Sequence, residues 1–308
     1  MKRLFAYTLL LLCALLLTGC SASTTLQSYV QATPVGAVDI PALPDENAGN
    51  TLVATLYFRY ADTALLRQEV RSLALLPNET RERALVEALL SGSQEGGALF
   101  PEGVEVLSTL TQNGVVFVTF NEALYGENNA VPADKALRAE AQLRRELAMA
   151  ALTATLTENV DCHAVQVLVR PQSSIGSSMR LKESYFLRES EQPSAPLVRS
   201  EQYLMTPRNA ALCLMNAWQQ RNFDAMSPFL SAAGETPVAA DALLSYSLTP
   251  GSISPDGQSA VVCVDMTLRR ADGSEYTVDA WPLRLTRENG AFKVSVQALQ
   301  KLMQLSED

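Results

Sequence analysis

One cysteine stands where its neighbours set up chemistry on the thiol. Cys20 follows Leu17-Thr18-Gly19, and ahead of them runs an almost unbroken apolar stretch, Leu4 to Leu17, opened by Lys2 and Arg3. That run is short for a membrane span, and its flanks are those of a cleaved secretory signal. Elsewhere, His163 is the only histidine and adjoins Cys162, a pairing that invites a nucleophile and its base. Adjacent strand residues point to opposite faces and no third group orients the pair, so His163 reads as a turn histidine. Asp265 and Asp279 fall in predicted strands with Tyr246, Tyr276 and Trp281 nearby. Along that strand Val262, Val264, Met266 and Leu268 share one face. Asp265 lies on the other with Cys263, Thr267 and Arg269, a mixed face that suits solvent as well as a pocket. Glu140, Arg144, Arg145 and Glu146 read as a solvated helix face, with Glu140 one turn before Arg144. Contact with a partner is the alternative.

The elements that must position these residues follow from periodicity. Residues 21–50 are rich in Ser, Thr, Ala, Pro, Asn and Gly and read as a flexible tether. Leu52 to Tyr60 alternates and is aromatic, which predicts a strand, and a second short strand is expected over 69–75. Leu85, Val86, Leu89 and Leu90 recur at helical spacing, and Ser91-Gly92 ends that helix. Val104 to Leu110 and Val115 to Phe120 flank Asn113-Gly114, the signature of a type I′ hairpin. A long helix is expected over 133–157 and a buried strand over 165–169, with one more strand as an option at 181–187. Residues 188–205 read as a linker. Thr206-Pro207 is an N-cap followed by Pro at the first helical position, and Ala211, Leu214, Met215 and Trp218 share a face. A second short helix starts at Asn222. Asp256-Gly257, Asp272-Gly273 and Asn289-Gly290 then punctuate four strands into an antiparallel meander, and 297–305 reads as a terminal helix. Pro282 inside the third strand suggests a bulge or an edge.

Three stretches carry family resemblances. The basic start, apolar core and Leu17-Thr18-Gly19-Cys20 resemble the bacterial lipoprotein signal and its lipobox. The resemblance implies cleavage before Cys20, lipid on its sulfur, and a protein held on the outer face of the cytoplasmic membrane. Leu56-Tyr57-Phe58 and Glu69-Val70-Arg71 resemble the opening of the GerMN domain of GerM-type sporulation and spore-germination proteins. Ala84 to Gly92 is similar to that family's first helix, Phe100-Pro101-Glu102-Gly103-Val104 to its entry to the hairpin, and Gly114 to Phe120 to its return strand. Thr153 to Thr157 with Val165 to Val169 is similar to its closing helix and strand. Arg170-Pro171 departs from the family, where a Gly often follows the last strand. From 206 onward, Ala211, Leu214 and Trp218 before Asn222 to Met226, and Leu283 to Val294 at the end, resemble the nuclear-transport-factor-like family, a cone-shaped α+β fold. Isomerases of that family use a carboxylate base and a tyrosine, which marks Asp265, Asp279, Tyr276 and Trp281 as the ligand-binding residues of an alternative reading.

The fold class expected is α+β. Two domains, each an antiparallel or mixed sheet covered by helices, follow a lipoprotein signal (1–19) and a lipidated, flexible tether (20–50). The GerMN-like domain spans 51–187, the linker 188–205 and the nuclear-transport-factor-like domain 206–308. The chain has 308 residues, of which 47% are hydrophobic, enough for two real cores. Loss of Lys2 and Arg3 with the signal, and of no acid, takes the formal charge from −9 to −11. Such a chain is a poor ligand for polyanions, so nucleic acid is excluded as a partner. Cys162, Cys213 and Cys263 form an odd set with no zinc-ligand spacing, so neither a disulfide framework nor a metal or cofactor is expected. A Cys213–Cys263 pair stays open beside three free thiols. The function expected is a non-enzymatic, membrane-anchored interaction or scaffold module, acting in sporulation or germination through envelope proteins. Homo-oligomer formation and ligand binding or isomerase-like catalysis in the C-terminal domain are the alternatives.

Overall fold

The computed structural model describes residues 51–94, 98–126, 132–172, 177–231 and 242–299. Cys20, the signal and the tether lie outside the described residues. The chain is α+β, built on two hydrophobic cores.

The first core starts with a hairpin, β1 (Thr51–Arg59) and β2 (Leu66–Ala74), in unbroken antiparallel register. The second strand thus begins earlier than the 69–75 expected. Helix α1 (Arg81–Leu90) is capped by the Thr80 side chain and buries Leu85, Val86 and Leu89. Strands β3 (Val106–Gln112) and β4 (Val115–Asn121) form the expected hairpin, with Asn113 and Gly114 both at positive φ as a type I′ turn requires. Helix α2 (Lys135–Asn159) then crosses over to β5 (Ala164–Arg170), which pairs parallel with β4. A crossover of that length is what parallel pairing demands. Val116, Val118 and Phe120 of β4 and Val165, Val167 and Val169 of β5 meet the C-terminal half of α2 in the core. A two-residue strand, β6 (Met179–Arg180), completes the order β3-β4-β5-β6.

Helix α2 also covers the outer edge of β1. The Asn159 amide accepts from the Thr55 N–H at 2.9 Å and donates to the Thr55 carbonyl at 2.8 Å, as a neighbouring strand would. Thr155 Oγ1 accepts from the Tyr57 N–H at 3.2 Å. An open edge that would invite pairing with another chain is blunted there by side chains.

Residues 181–187 are not a strand. Leu181 is buried, Glu183–Phe186 forms a 3-10 turn, and Leu187 ends it in the left-handed region. Nor is the expected linker slack: Leu197 exchanges both backbone hydrogen bonds with Val165, the Ser194 N–H donates to the Leu181 carbonyl, and Leu204 is buried in the first core. β5 has an edge left free beyond the short β6, and this segment fills it.

The C-terminal part opens with α3 (Pro207–Gln219), whose Thr206 cap accepts from the Asn209 N–H. Ala211, Leu214, Met215 and Trp218 are all buried, as their spacing predicts. The short α4 (Phe223–Met226), capped by Asn222, leads to a 3-10 turn over Ser227–Phe229. Strands β7 (Ala242–Leu248), β8 (Ser252–Ile253), β9 (Ser259–Arg269), β10 (Glu275–Glu288) and β11 (Ala291–Val294) follow. They form an antiparallel sheet in the order β11-β10-β9-β7, with β8 also on β9. Residues 296–299 are helical, and the rest of the expected terminal helix lies outside the described residues.

The hairpin tip of β1–β2 belongs to both cores. Leu65 is buried in the second core, and the Tyr60 ring packs on Phe229 while its hydroxyl donates to the Pro228 carbonyl. Arg67 donates to the Asn289 carbonyl at 3.1 Å, Arg287 to Gln68 Oε1 at 2.9 Å, and the Met205 N–H to the Leu66 carbonyl at 2.8 Å.

Candidate interaction groove

The acids expected to bind a ligand in the second domain are spent on the sheet. β9 alternates without a break, its Val262, Val264, Met266 and Leu268 buried under α3 and its Asp265 exposed on the other face. Between Val278 and Trp281 the register of β10 slips, with Ala280 at positive φ. Asp265 accepts from the Ala280 N–H at 2.7 Å and from the Ser247 hydroxyl at 3.0 Å, so its carboxylate caps this bulge. The bulge that Pro282 suggests therefore lies just ahead of it. Asp279 is exposed on the bulge itself, Trp281 is half-buried, and Tyr276 lies beneath the Arg270 guanidinium at 4.3 Å. The four residues do not line a common pocket among the described residues.

Among the described residues, Cys162, Cys213 and Cys263 are free thiols. Cys213 rides on α3, which packs on the Val262 and Val264 face, whereas Cys263 has the opposite strand parity and points away. The pairing left open by the sequence is closed by that parity. Burial pushes the Cys213 thiol up to about 11. His163 stacks its ring against the Gly114 turn, where an added Cβ would come within 2.7 Å of Nδ1.

On the polar face of α2, Glu140 and Arg144 are exposed as expected, while Arg145 and Glu146 are half-buried. Glu140 pairs with Arg59, not with Arg144. Arg144 donates to the Ala98 carbonyl and Arg145 to the Tyr185 carbonyl, each at 2.7 Å. Glu146 is held by the Tyr203 hydroxyl at 2.8 Å and by Gln142 at 3.1 Å. Burial, followed by that bond to Glu146, pushes the Tyr203 phenol up to about 12.

Glu146 marks one end of a groove of about 350 Å³, within the range of small-ligand and side-chain pockets. Glu146, Met149, Ala150 and Thr153 recur at three- and four-residue spacing and form one wall from a single stripe of α2. The other wall is the extended segment Ser194–Val198, and Glu183, Phe186 and Arg188 line the groove as well. Arg188 lies over the Phe186 ring at 5.3 Å and 3.8 Å from Glu146, with 55% of its side chain exposed. The Glu183 carboxylate makes no hydrogen bond or ion pair among the described residues. Ser194 is buried, and its hydroxyl has no hydrogen-bond partner among the described residues, which is uncommon for a buried polar atom. Sequence reasoning missed this groove. Half of it comes from the stretch that reads as a linker, where Leu197-Val198 is too short an apolar signal to show a packed segment.

Comparison with known proteins places the first core. Residues 55–172 match the family model Germane, described as sporulation and spore germination. Among solved structures, the tandem GerMN domains of the sporulation protein GerM from Bacillus subtilis align at 15% identity with a TM-score of 0.32. That alignment covers 78% of this chain and 62% of the GerM structure. A Clostridium perfringens protein provisionally described as a lipoprotein aligns at 16% identity with a TM-score of 0.25, covering 51% of this chain and 93% of that one. No curated protein matches the chain. The family-model match ends at residue 172, so it does not bear on the resemblance expected for residues 206–308.

Proposed function

We propose that this protein is a lipid-anchored, extracytoplasmic interaction module acting in sporulation or spore germination, without catalysis of its own. The observation that carries the process is the match to the Germane family model at 55–172. Anchoring rests on Leu17-Thr18-Gly19-Cys20 at the end of an apolar run, since no helix among the described residues is long and apolar enough to cross a membrane. The non-enzymatic reading draws on the use of Asp265 as a bulge cap. Envelope proteins are the partners this reading calls for, and the groove on α2 is a surface that could receive one.

The test is Cys20→Ala expressed in place of the natural gene in its own spore-forming host. The variant is expected to lose its lipid and leave the membrane fraction, and spore yield or germination is expected to fall with it. Normal membrane anchoring of the variant would refute the lipoprotein assignment. Normal spore yield and germination after deletion of the whole gene would refute the process.

A further inference from the structure

We propose that the groove between α2 and Ser194–Val198 receives a lysine side chain from a basic stretch of a partner protein. This rests on the interaction-module reading and names the partner's chemistry. The floor is apolar, with Met149, Phe186 and Leu197 placed to take an aliphatic stem. Glu183 lines the groove, and its carboxylate makes no hydrogen bond or ion pair among the described residues. A compact ammonium with three donors suits the Glu183 carboxylate. The chain's own Arg188 already samples a cation's place here, over Phe186 and beside Glu146. Its hold is loose, with an N–O distance of 3.8 Å and over half its side chain in solvent.

Charge selects among occupants. Glu146 and Glu183 against the single Arg188 leave the groove net negative, and the whole chain is acidic at −9. A basic segment is steered toward such a surface and an anionic one is turned away. The chain's own residues 21–50 contain no Lys or Arg, so the tether cannot supply the ammonium.

The experiment titrates the full lipidated chain in detergent micelles with an acetylated, amidated alanyl-lysyl-alanine tripeptide. The Met149 methyl resonance reports binding, and the norleucine tripeptide, of equal stem and no charge, is the control. The lysine peptide is expected to shift the signal saturably and to bind about tenfold or more tightly than the norleucine peptide, the worth of one hydrogen-bonded charge. Glu183→Gln is expected to weaken the lysine peptide by a similar factor, and Arg188→Ala to strengthen it by removing the resident cation. Equal binding of both peptides, an absence of saturation, or an unchanged affinity in Glu183→Gln would each overturn the proposal. So would a Met149 shift that follows protein concentration alone, since a second copy would then fill the groove. Any of these leaves the Cys20 and spore tests standing, and failure of those tests leaves peptide binding intact.

Discussion

Leu65→Ala tests whether the hairpin tip is part of the second domain's core. Leu65 is 2% exposed and packs with α3 and the meander, although it sits between β1 and β2 of the first core. Truncation removes three buried carbon groups, worth about 2.4 kcal/mol at ~0.8 kcal/mol each. The cavity left behind brings the expected loss to about 3–4 kcal/mol. The readout is unusually clean, because both tryptophans of the chain, Trp218 and Trp281, lie in the second domain. Urea unfolding followed by tryptophan fluorescence should show a midpoint lowered by about 1–4 M, given m-values of about 1–3 kcal/mol/M. Leu76→Ala, at a position 68% exposed in the same half of the chain, should move it by less than about 0.5 kcal/mol. An unchanged tryptophan transition in Leu65→Ala would refute the shared core.

Two further perturbations probe the turns and the thiols. Gly114→Ala must place a Cβ at φ +71° and 2.7 Å from His163 Nδ1, so a loss of about 2 kcal/mol is expected. Adding His163→Ala should return the steric part and leave the backbone part, and a neutral Gly114→Ala by thermal unfolding would count against the geometry. The Cys213 thiol is raised by burial from 9.0 to about 11. Its contribution to stability is therefore complete below pH 9 and lost as the pH climbs from 9 toward 11, because the unfolded thiol ionises first. Stability measured across that range should slope downward in the natural protein and less so in Cys213→Ala, and matching slopes would exclude the effect. Alkylation at pH 8 should correspondingly spare Cys213 until the protein is unfolded.

Much of the local structure was legible because it is written in short-range signals. Alternation along β9, the stripe Ala211-Leu214-Met215-Trp218 and the paired positive-φ residues at Asn113-Gly114 and Asn289-Gly290 each depend on neighbours a few residues away. The match of residues 55–172 to the Germane family model is likewise carried by the order of residues. What the order could not carry was which side chains meet across the chain. The bond from Arg67 to Asn289 spans 222 positions, and Leu65 crosses from one unit to the core of the other. Asp265 looked the same on paper as a base or a bulge cap, and only the slip in β10 decides it. The groove likewise arises when a polar segment is drawn onto the free edge of β5 to satisfy its backbone, which brings Ser194 and Glu183 beside a helix that the sequence places some 40 residues earlier. Periodicity and punctuation determined the elements, and the closing of long-range hydrogen bonds and apolar contacts determined the surfaces.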